Sequence, residues 1–283
     1  DGSVFDTVSA QVEQAARALG LPDVRTIPVS ALTGDNVVER STLTPWYGGP
    51  SLLELLEALP SADEPDGEAF RFPVQVVIRP QGAARDEAYR EYRGYAGQIA
   101  AGIVRVGDEV TVLPAGRRTR IAGIDTADGP LDEAFAPQSV TIRLTDDVDV
   151  ARGDLIAAAA DAPVPTNELE GTVCWLADRE LRPGQRVLLK HTTTTVQAVV
   201  REIVGRLDLD SAELGPAEEL GLNDIGRVVL RLAAPVVAEP YLTSRRTGAF
   251  LLIDPLDGNT LAAGMVGDAL AEVRHPEQRT LLY

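Results

Sequence analysis

Apolar and polar positions divide the chain into a short helical opening and a long alternating remainder. Phe5, Val8, Val12, Ala15, Ala16 and Leu19 recur at helical spacing, with Asp6, Gln11, Glu13, Gln14 and Arg17 on the other positions, which predicts an amphipathic helix packed on a sheet. Gly20 is expected to end it, and Pro22-Asp23 to turn the chain into a strand at Arg25 to Val29. That apolar run stops at Ser30-Ala31-Leu32 and a Gly34-Asp35-Asn36 turn. A strand stopping there would present backbone amides and a hydroxyl at its carboxyl end, where open α/β sheets bind ligands. Ser51 and Glu54 then have capping-box spacing, and Leu52, Leu53, Leu56 and Leu59 give the next helix one apolar face. One strand has no partner for its amides and carbonyls. Residues 1–62 therefore read as the closing part of an α/β domain whose earlier strands are not in the sequence.

After a Pro- and Gly-containing acidic linker, Ser61 to Gly67, the period becomes two. Strand-like runs are expected at Phe70 to Val76, Tyr95 to Val104, Glu109 to Leu113, Thr119 to Ile124 and Val140 to Leu144. Ala157 to Pro165 reads as a second boundary. Further runs follow at Glu170 to Leu176, Gln185 to Lys190, Thr195 to Arg206, Arg227 to Leu232, Ala249 to Ile253 and Leu261 to Val266. Short strands at this spacing predict closed barrels or sandwiches, in two units over 68–160 and 165–275, with 276–283 as a tail.

Composition narrows the chemistry. The 283 residues are 45% hydrophobic and 24% charged, with a net charge of −17, so the surface repels phosphate backbones and anionic membranes. No run approaches the roughly 20 apolar residues of a membrane span. The lone Cys174, in an apolar run, reads as a buried thiol and excludes an internal disulfide. The acidic opening at Asp1 has no signal-peptide pattern, so the expected compartment is the cytosol. Asp146, Asp147, Asp149 and Asp154 lack the spacing of a calcium loop and read as turn carboxylates. His191 and His275, the two histidines, have no acid or nucleophile beside them in sequence. Arg245-Arg246 reads as a solvated pair, with an anionic partner or nucleotide as the alternative.

The Ser30-Ala31-Leu32 tripeptide, Gly34-Asp35-Asn36-Val37 and Pro45-Trp46-Tyr47-Gly48-Gly49-Pro50 together resemble two branches of the translation-factor GTPases. One is the elongation factor of archaea and eukaryotes, and the other is the GTPase subunit of bacterial sulfate adenylyltransferase. Arg93-Gly94-Tyr95-Ala96-Gly97 and Leu113-Pro114-Ala115-Gly116 make the chain similar to the sulfate branch, and Lys190-His191-Thr192-Thr193 resembles the third barrel of the superfamily as a whole. The resemblance implies the end of an α/β GTPase domain followed by two translation-factor barrels, with Ser30, Ala31 and Leu32 closing over guanine. It also implies GTP and Mg2+ in a longer protein, and a small adenylyltransferase subunit as partner that binds ATP and sulfate; neither nucleic acid nor membrane is expected. The phosphate loop, the Asp-x-x-Gly and the Asn-Lys-x-Asp of such enzymes are not in this sequence, and its one lysine is Lys190. The chain as given is therefore expected to hold no catalytic or metal-binding residues of its own and not to hydrolyse GTP. Two alternatives stand beside this reading: an elongation-factor-like protein binding aminoacyl-tRNA, and a β-barrel interaction module with no nucleotide role.

Overall fold

The computed structural model describes residues 1–18, 23–59, 67–83, 87, 90–209, 211 and 213–268. Asp1–Glu64 belong to one compact unit and Pro65–Leu270 form another. Gly20, most of the Ser61 to Gly67 linker, His275 and the 276–283 tail lie outside the described residues.

In the first unit, helix α1 runs from Gly2 to Ala18 and α2 from Leu52 to Ala58. Phe5 of α1 meets Trp46 at 5.4 Å and Tyr47 at 6.0 Å between ring centroids, and Ala16 is buried. Val8 and Val12, expected on the packed face, are about half exposed, as is Val4. The strand expected at Arg25 to Val29 forms no ladder, and α2 buries no residue, leaving Leu52, Leu53, Leu56 and Leu59 exposed. The cause is common to all three departures. Among the described residues this unit has no strand for Arg25 to Val29 to pair with, so no sheet forms to cover the helices.

In the second unit the strands are β1 (Arg71–Ile78), β2 (Gly94–Gln98), β3 (Ile103–Arg105), β4 (Glu109–Leu113), β5 (Arg117–Thr126), β6 (Gly129–Leu131), β7 (Glu133–Phe135), β8 (Ser139–Leu144) and β9 (Leu155–Ala158). They are followed by β10 (Thr166–Trp175), β11 (Arg186–His191), β12 (Thr194–Leu207), β13 (Leu214–Gly215), β14 (Ile225–Val236), β15 (Ala249–Ile253) and β16 (Thr260–Val266). The first sheet has the order β4-β9-β1-β2-β8-β5-β6 and closes through β4–β5; the second has the order β11-β15-β16-β10-β14-β12-β13 and closes through β11–β12. All ladders are antiparallel. Each sheet thus forms a six-stranded barrel with one short strand appended, and closure satisfies the edges that an open sheet would expose.

The alternation that predicted these strands is the alternation that fills the barrels. Val228, Leu230 and Leu232 of β14 are buried inward, while Arg231 between them is exposed. Phe72, Tyr95, Ile121, Ile142 and Ile156 fill the first core, and Trp175, Leu189, Leu220, Leu230 and Leu252 the second. Phe250 lies flat where β10 and β16 carry glycines: a Cβ on Gly264 would stand 2.2 Å from its ring. The long run expected at Tyr95 to Val104 is two strands, β2 and β3, broken at Ile99 to Gly102, where Ala100 and Ala101 donate to Arg71 instead of continuing the ladder. Leu155–Ala158, read partly as a boundary, is β9 and pairs with both β1 and β4. Cys174 is half-buried rather than buried, because in β10 it alternates with the fully enclosed Val173 and Trp175 and takes the outer face.

Strand β1 departs from alternation: Arg71, Phe72, Pro73 and Val74 are all buried. Phe72 and Val74 point into the first barrel core, and Arg71 meets the second barrel. Its Nε and Nη2 donate to the two carboxylate oxygens of Glu239 at 2.9 and 2.8 Å, Nη2 also to Asp161 at 3.1 Å, and Nη1 to the Phe70 carbonyl at 3.1 Å. Burial works against the guanidinium charge, but Glu239 and then Asp161 outweigh it and raise the pKa. Thr247 donates to Glu239 at 2.8 Å, and its carbonyl accepts from the buried His191 Nε2 at 2.7 Å. Leu113, Leu155 and Ala157 of the first barrel close the seam against Val237 of the second.

Two outcomes follow for this seam. Arg71→Met leaves the half-buried Glu239 in the seam without its cation and is expected to cost about 3 kcal/mol in urea unfolding, most of which the double variant Arg71→Met/Glu239→Leu regains. Burial holds the His191 imidazole below its usual 6.5, with the Thr247 carbonyl and Glu239 opposing but not reversing the shift. The unfolded chain therefore takes up this proton first. The contribution is fully present above about 6.5 and is lost as pH falls from there through the folded value. Stability measured from pH 8 to pH 5 should fall, and His191→Gln should flatten that part of the slope.

Candidate functional site

The Ser30-Ala31-Leu32 loop is held by a polar core rather than an apolar one. Asn36, 1% exposed, sits at φ +56°, a left-handed conformation that asparagine tolerates better than most residues. Its side-chain amide donates to the Pro28 carbonyl at 2.7 Å and to Thr44 Oγ1 at 2.9 Å, and its side-chain carbonyl accepts from the Ser41 amide at 2.7 Å. Three of its four hydrogen-bonding positions are used. The main-chain carbonyls of Asn36 and Val37 accept from the Leu52 and Leu53 amides, both at 2.9 Å. These are donors that the first turn of α2 leaves unpaired within the helix.

Ser51 completes the connection. It is fully buried, donates to the Val38 carbonyl at 2.9 Å and accepts from the Glu54 amide at 3.2 Å. Glu54 returns the bond by accepting from the Ser51 amide at 2.7 Å, which is the main reason its pKa is lowered. The predicted capping box is thus present, and it also ties α2 to the loop.

Ahead of Asn36 the chain folds into a tight turn. The Ser30 amide donates to the Asp35 carbonyl at 3.1 Å, and the Gly34 amide to the Ser30 carbonyl at 2.8 Å, with Gly34 at φ +79°. Thr33 Oγ1 lies 2.6 Å from Ser30 Oγ and bonds the Asp35 carboxylate; the Ser41 hydroxyl donates to the same carboxylate at 2.5 Å. The Ser41 bond, then that of Thr33, lowers the Asp35 pKa. Ser30 is half-buried, Ala31 is exposed and Leu32 is 96% exposed. Among the described residues the Ala31 and Leu32 amides donate to no protein group. The turn leaves two consecutive N–H donors for an acceptor from outside. Asn36 was not legible as the organiser of this loop; the signal was its place directly after Gly-Asp, where a left-handed residue is common.

The other candidates are dispersed. Asp146 accepts from Thr119 at 2.8 Å, Asp147 pairs with Arg93, and Asp154 accepts from the Ala151 amide at 2.8 Å. No group of three or more His, Cys, Asp or Glu among the described residues could hold a metal ion. His191 belongs to the barrel seam. Arg245 and Arg246 are exposed, and Arg246 donates to Gln98 Oε1 of the first barrel at 3.0 Å.

The profile of the GTP-eEF1A C-terminal domain-like family matches residues 168–267, the second barrel. The chain is 46% identical over 268 residues to a bifunctional enzyme CysN/CysC of Mycobacterium tuberculosis, covering 94% of this chain and 43% of that protein. It is 41% identical over 268 residues to sulfate adenylyltransferase subunit 1 of Cellvibrio japonicus, covering 95% of this chain and 55% of that protein. The chain spans about half the length of the curated relatives it matches. Among solved structures, Sup35 complexed with GMPPNP aligns with a TM-score of 0.64 at 25% identity, covering 86% of this chain and 58% of that one.

Replacing Asn36 by Ala removes the three side-chain bonds and places a less tolerant residue at positive φ. The expected cost is about 2 kcal/mol, seen as faster amide exchange of Leu52 and Leu53 with little change in the barrel strands.

Proposed function

The chain belongs, over nearly its whole length, with the sulfate adenylyltransferase subunit 1 family, and from that premise we propose that it is part of a GTP-binding subunit driving sulfate activation. The observation that carries this reading is the identity to such subunits across nearly the whole chain. The reaction joins sulfate to the α-phosphate of ATP, giving adenylylsulfate and releasing pyrophosphate. It is uphill because a phosphosulfate anhydride forms. GTP hydrolysis drives it through two states of the subunit that contact the partner differently.

In this reading residues 1–62 close a GTPase domain, and the barrels over 68–160 and 165–275 carry its state to a small adenylyltransferase subunit, which binds ATP and sulfate. The Ala31 and Leu32 amides, with Ser30, meet the guanine base. The GTP phosphates and Mg2+ would be held by residues of the longer protein. No described helix is long and apolar enough to cross a membrane, and the cytosol is the compartment such a reaction requires. An elongation-factor-like role accords less well with a net charge of −17, since phosphate contacts need cations.

The full-length protein is expected to bind GTP in preference to ATP and, with its small subunit, to make adenylylsulfate faster when GTP is supplied. Ala31→Pro, which removes one free amide, should weaken GTP binding about tenfold without changing ATP use by the small subunit. A full-length protein that ignores GTP while its partner makes adenylylsulfate unaided would overturn the proposal.

A further inference from the structure

Four irregularities meet in one cleft between the two barrels. The cleft, about 350 Å³, is lined by Pro73, Gln75, Gln98 and Ala100 of the first barrel and by Thr192, Thr193 and Arg246 of the second. Its volume is at the lower end of ligand-binding pockets. No carboxylate lines it, although the chain as a whole carries −17.

Thr192 opens the two-residue turn between β11 and β12 at φ +45°. A β-branched residue is a genuine outlier there, and such strain concentrates at ligand sites. The next residue is anomalous in a different way. Thr193 Oγ1 is buried and has no hydrogen-bond partner among the described residues, a state that costs about 1–3 kcal/mol if the hydroxyl stays unpaired. Buried hydroxyls are almost always satisfied, by the chain, a ligand or an ordered water, so the partner of this one comes from outside the described residues.

The cations are arranged to match. Arg246 is anchored by one bond to Gln98 and has no carboxylate partner among the described residues. Arg152 reaches the same wall from the first barrel, donating to the Gln75 carbonyl at 3.0 Å, and it too has no carboxylate partner among the described residues. Gly153 beside it, at φ +101°, brings that loop so close to the second barrel that a Cβ would stand 3.0 Å from Thr194. Most described arginines of this acidic chain are paired with Asp or Glu. Arg152 and Arg246 are among those without a carboxylate partner, and both lie at this junction.

We propose that this inter-barrel cleft binds a small tetrahedral oxyanion, inorganic sulfate or phosphate, through the Arg246 guanidinium and the Thr193 hydroxyl, with Arg152 adding charge. Arg246 has N–H donors beyond the one given to Gln98, and the Thr193 hydroxyl gains the acceptor it lacks. Binding joins residues from both barrels, so the bound anion favours their docked arrangement. This inference stands on the cleft and does not depend on the nucleotide reading.

The test is calorimetric titration of the full chain with sodium sulfate and, separately, sodium phosphate, at ionic strength held constant with sodium chloride. Saturable binding of either anion is expected, and the tighter of the two identifies the natural occupant class. Thr193→Val and Arg246→Met should each weaken it about tenfold, the size of one charge-assisted hydrogen bond. Thr193→Val separates the proposal from a purely structural role: a hydroxyl that merely lies unpaired can be replaced by a methyl group with no effect on anion binding. Absence of saturable binding to either anion, or binding unchanged in both variants, would overturn the inference. Constant ionic strength and the variant comparison exclude the general stabilisation that sulfate and phosphate give any folded chain.

Discussion

A guanidinium enclosed between two barrels is the constraint around which the larger unit is arranged. Arg71 is 4% exposed, and removing such a charge from water is tolerable only if every face of it is answered. Glu239 supplies both carboxylate oxygens, Asp161 a third and the Phe70 carbonyl a fourth acceptor. The requirement then propagates. Glu239 is steadied by Thr247, whose carbonyl is in turn taken by His191, so a buried polar chain runs from β1 through the β14–β15 connection to the end of β11. The apolar seam of Leu113, Leu155, Ala157 and Val237 supplies contact area. The polar chain supplies the register in which that area is buried, because a fork-shaped cation accepts few alternative placements of its partner.

The smaller unit rests on the opposite economy of material. Its most enclosed groups include the polar Asn36 and Ser51, while several leucines and valines of both helices face outward. A loop organised by hydrogen bonds keeps its shape without an apolar core beneath it, because each buried donor and acceptor fixes a direction as well as a distance. The Ser30-Ala31-Leu32 turn can hold its amides outward for that reason. The same residues explain why α2 forms although it buries nothing: its first turn is capped by Ser51 and Glu54 and by two carbonyls of the preceding loop.

The barrels were legible in the sequence because period-two patterning is a local consequence of which face meets the core. Ala249–Ile253 and Glu109–Leu113 could be placed to the residue, and β14 was visible from its alternating arginines and aliphatics. What could not be read were features set by partners distant in sequence. Arg71 lies in a strand that alternates on paper, yet both its faces are covered, and only a second barrel makes that so. The strand at Arg25 to Val29 failed for the converse reason: its composition is that of a buried strand, but pairing needs neighbours that the described chain does not contain. In the candidate loop the tripeptide itself and the capping box were readable, whereas Asn36 was not, because its role depends on where Pro28, Ser41 and Thr44 come to lie.

The pairing of Arg71 with Glu239 spans 168 positions of chain, and that separation has a consequence for synthesis. Strand β1 already waits for β9 before its ladder is complete, and its guanidinium waits longer still, because Asp161 follows β9 directly whereas Glu239 belongs to the second barrel. A hydrated cation at that place is harmless. Until Glu239 has been made, Asp161 and the Phe70 carbonyl are the acceptors the first part of the chain can offer it, and water completes the shell. The bidentate pair can therefore close only after the carboxylate of the second barrel has been synthesised.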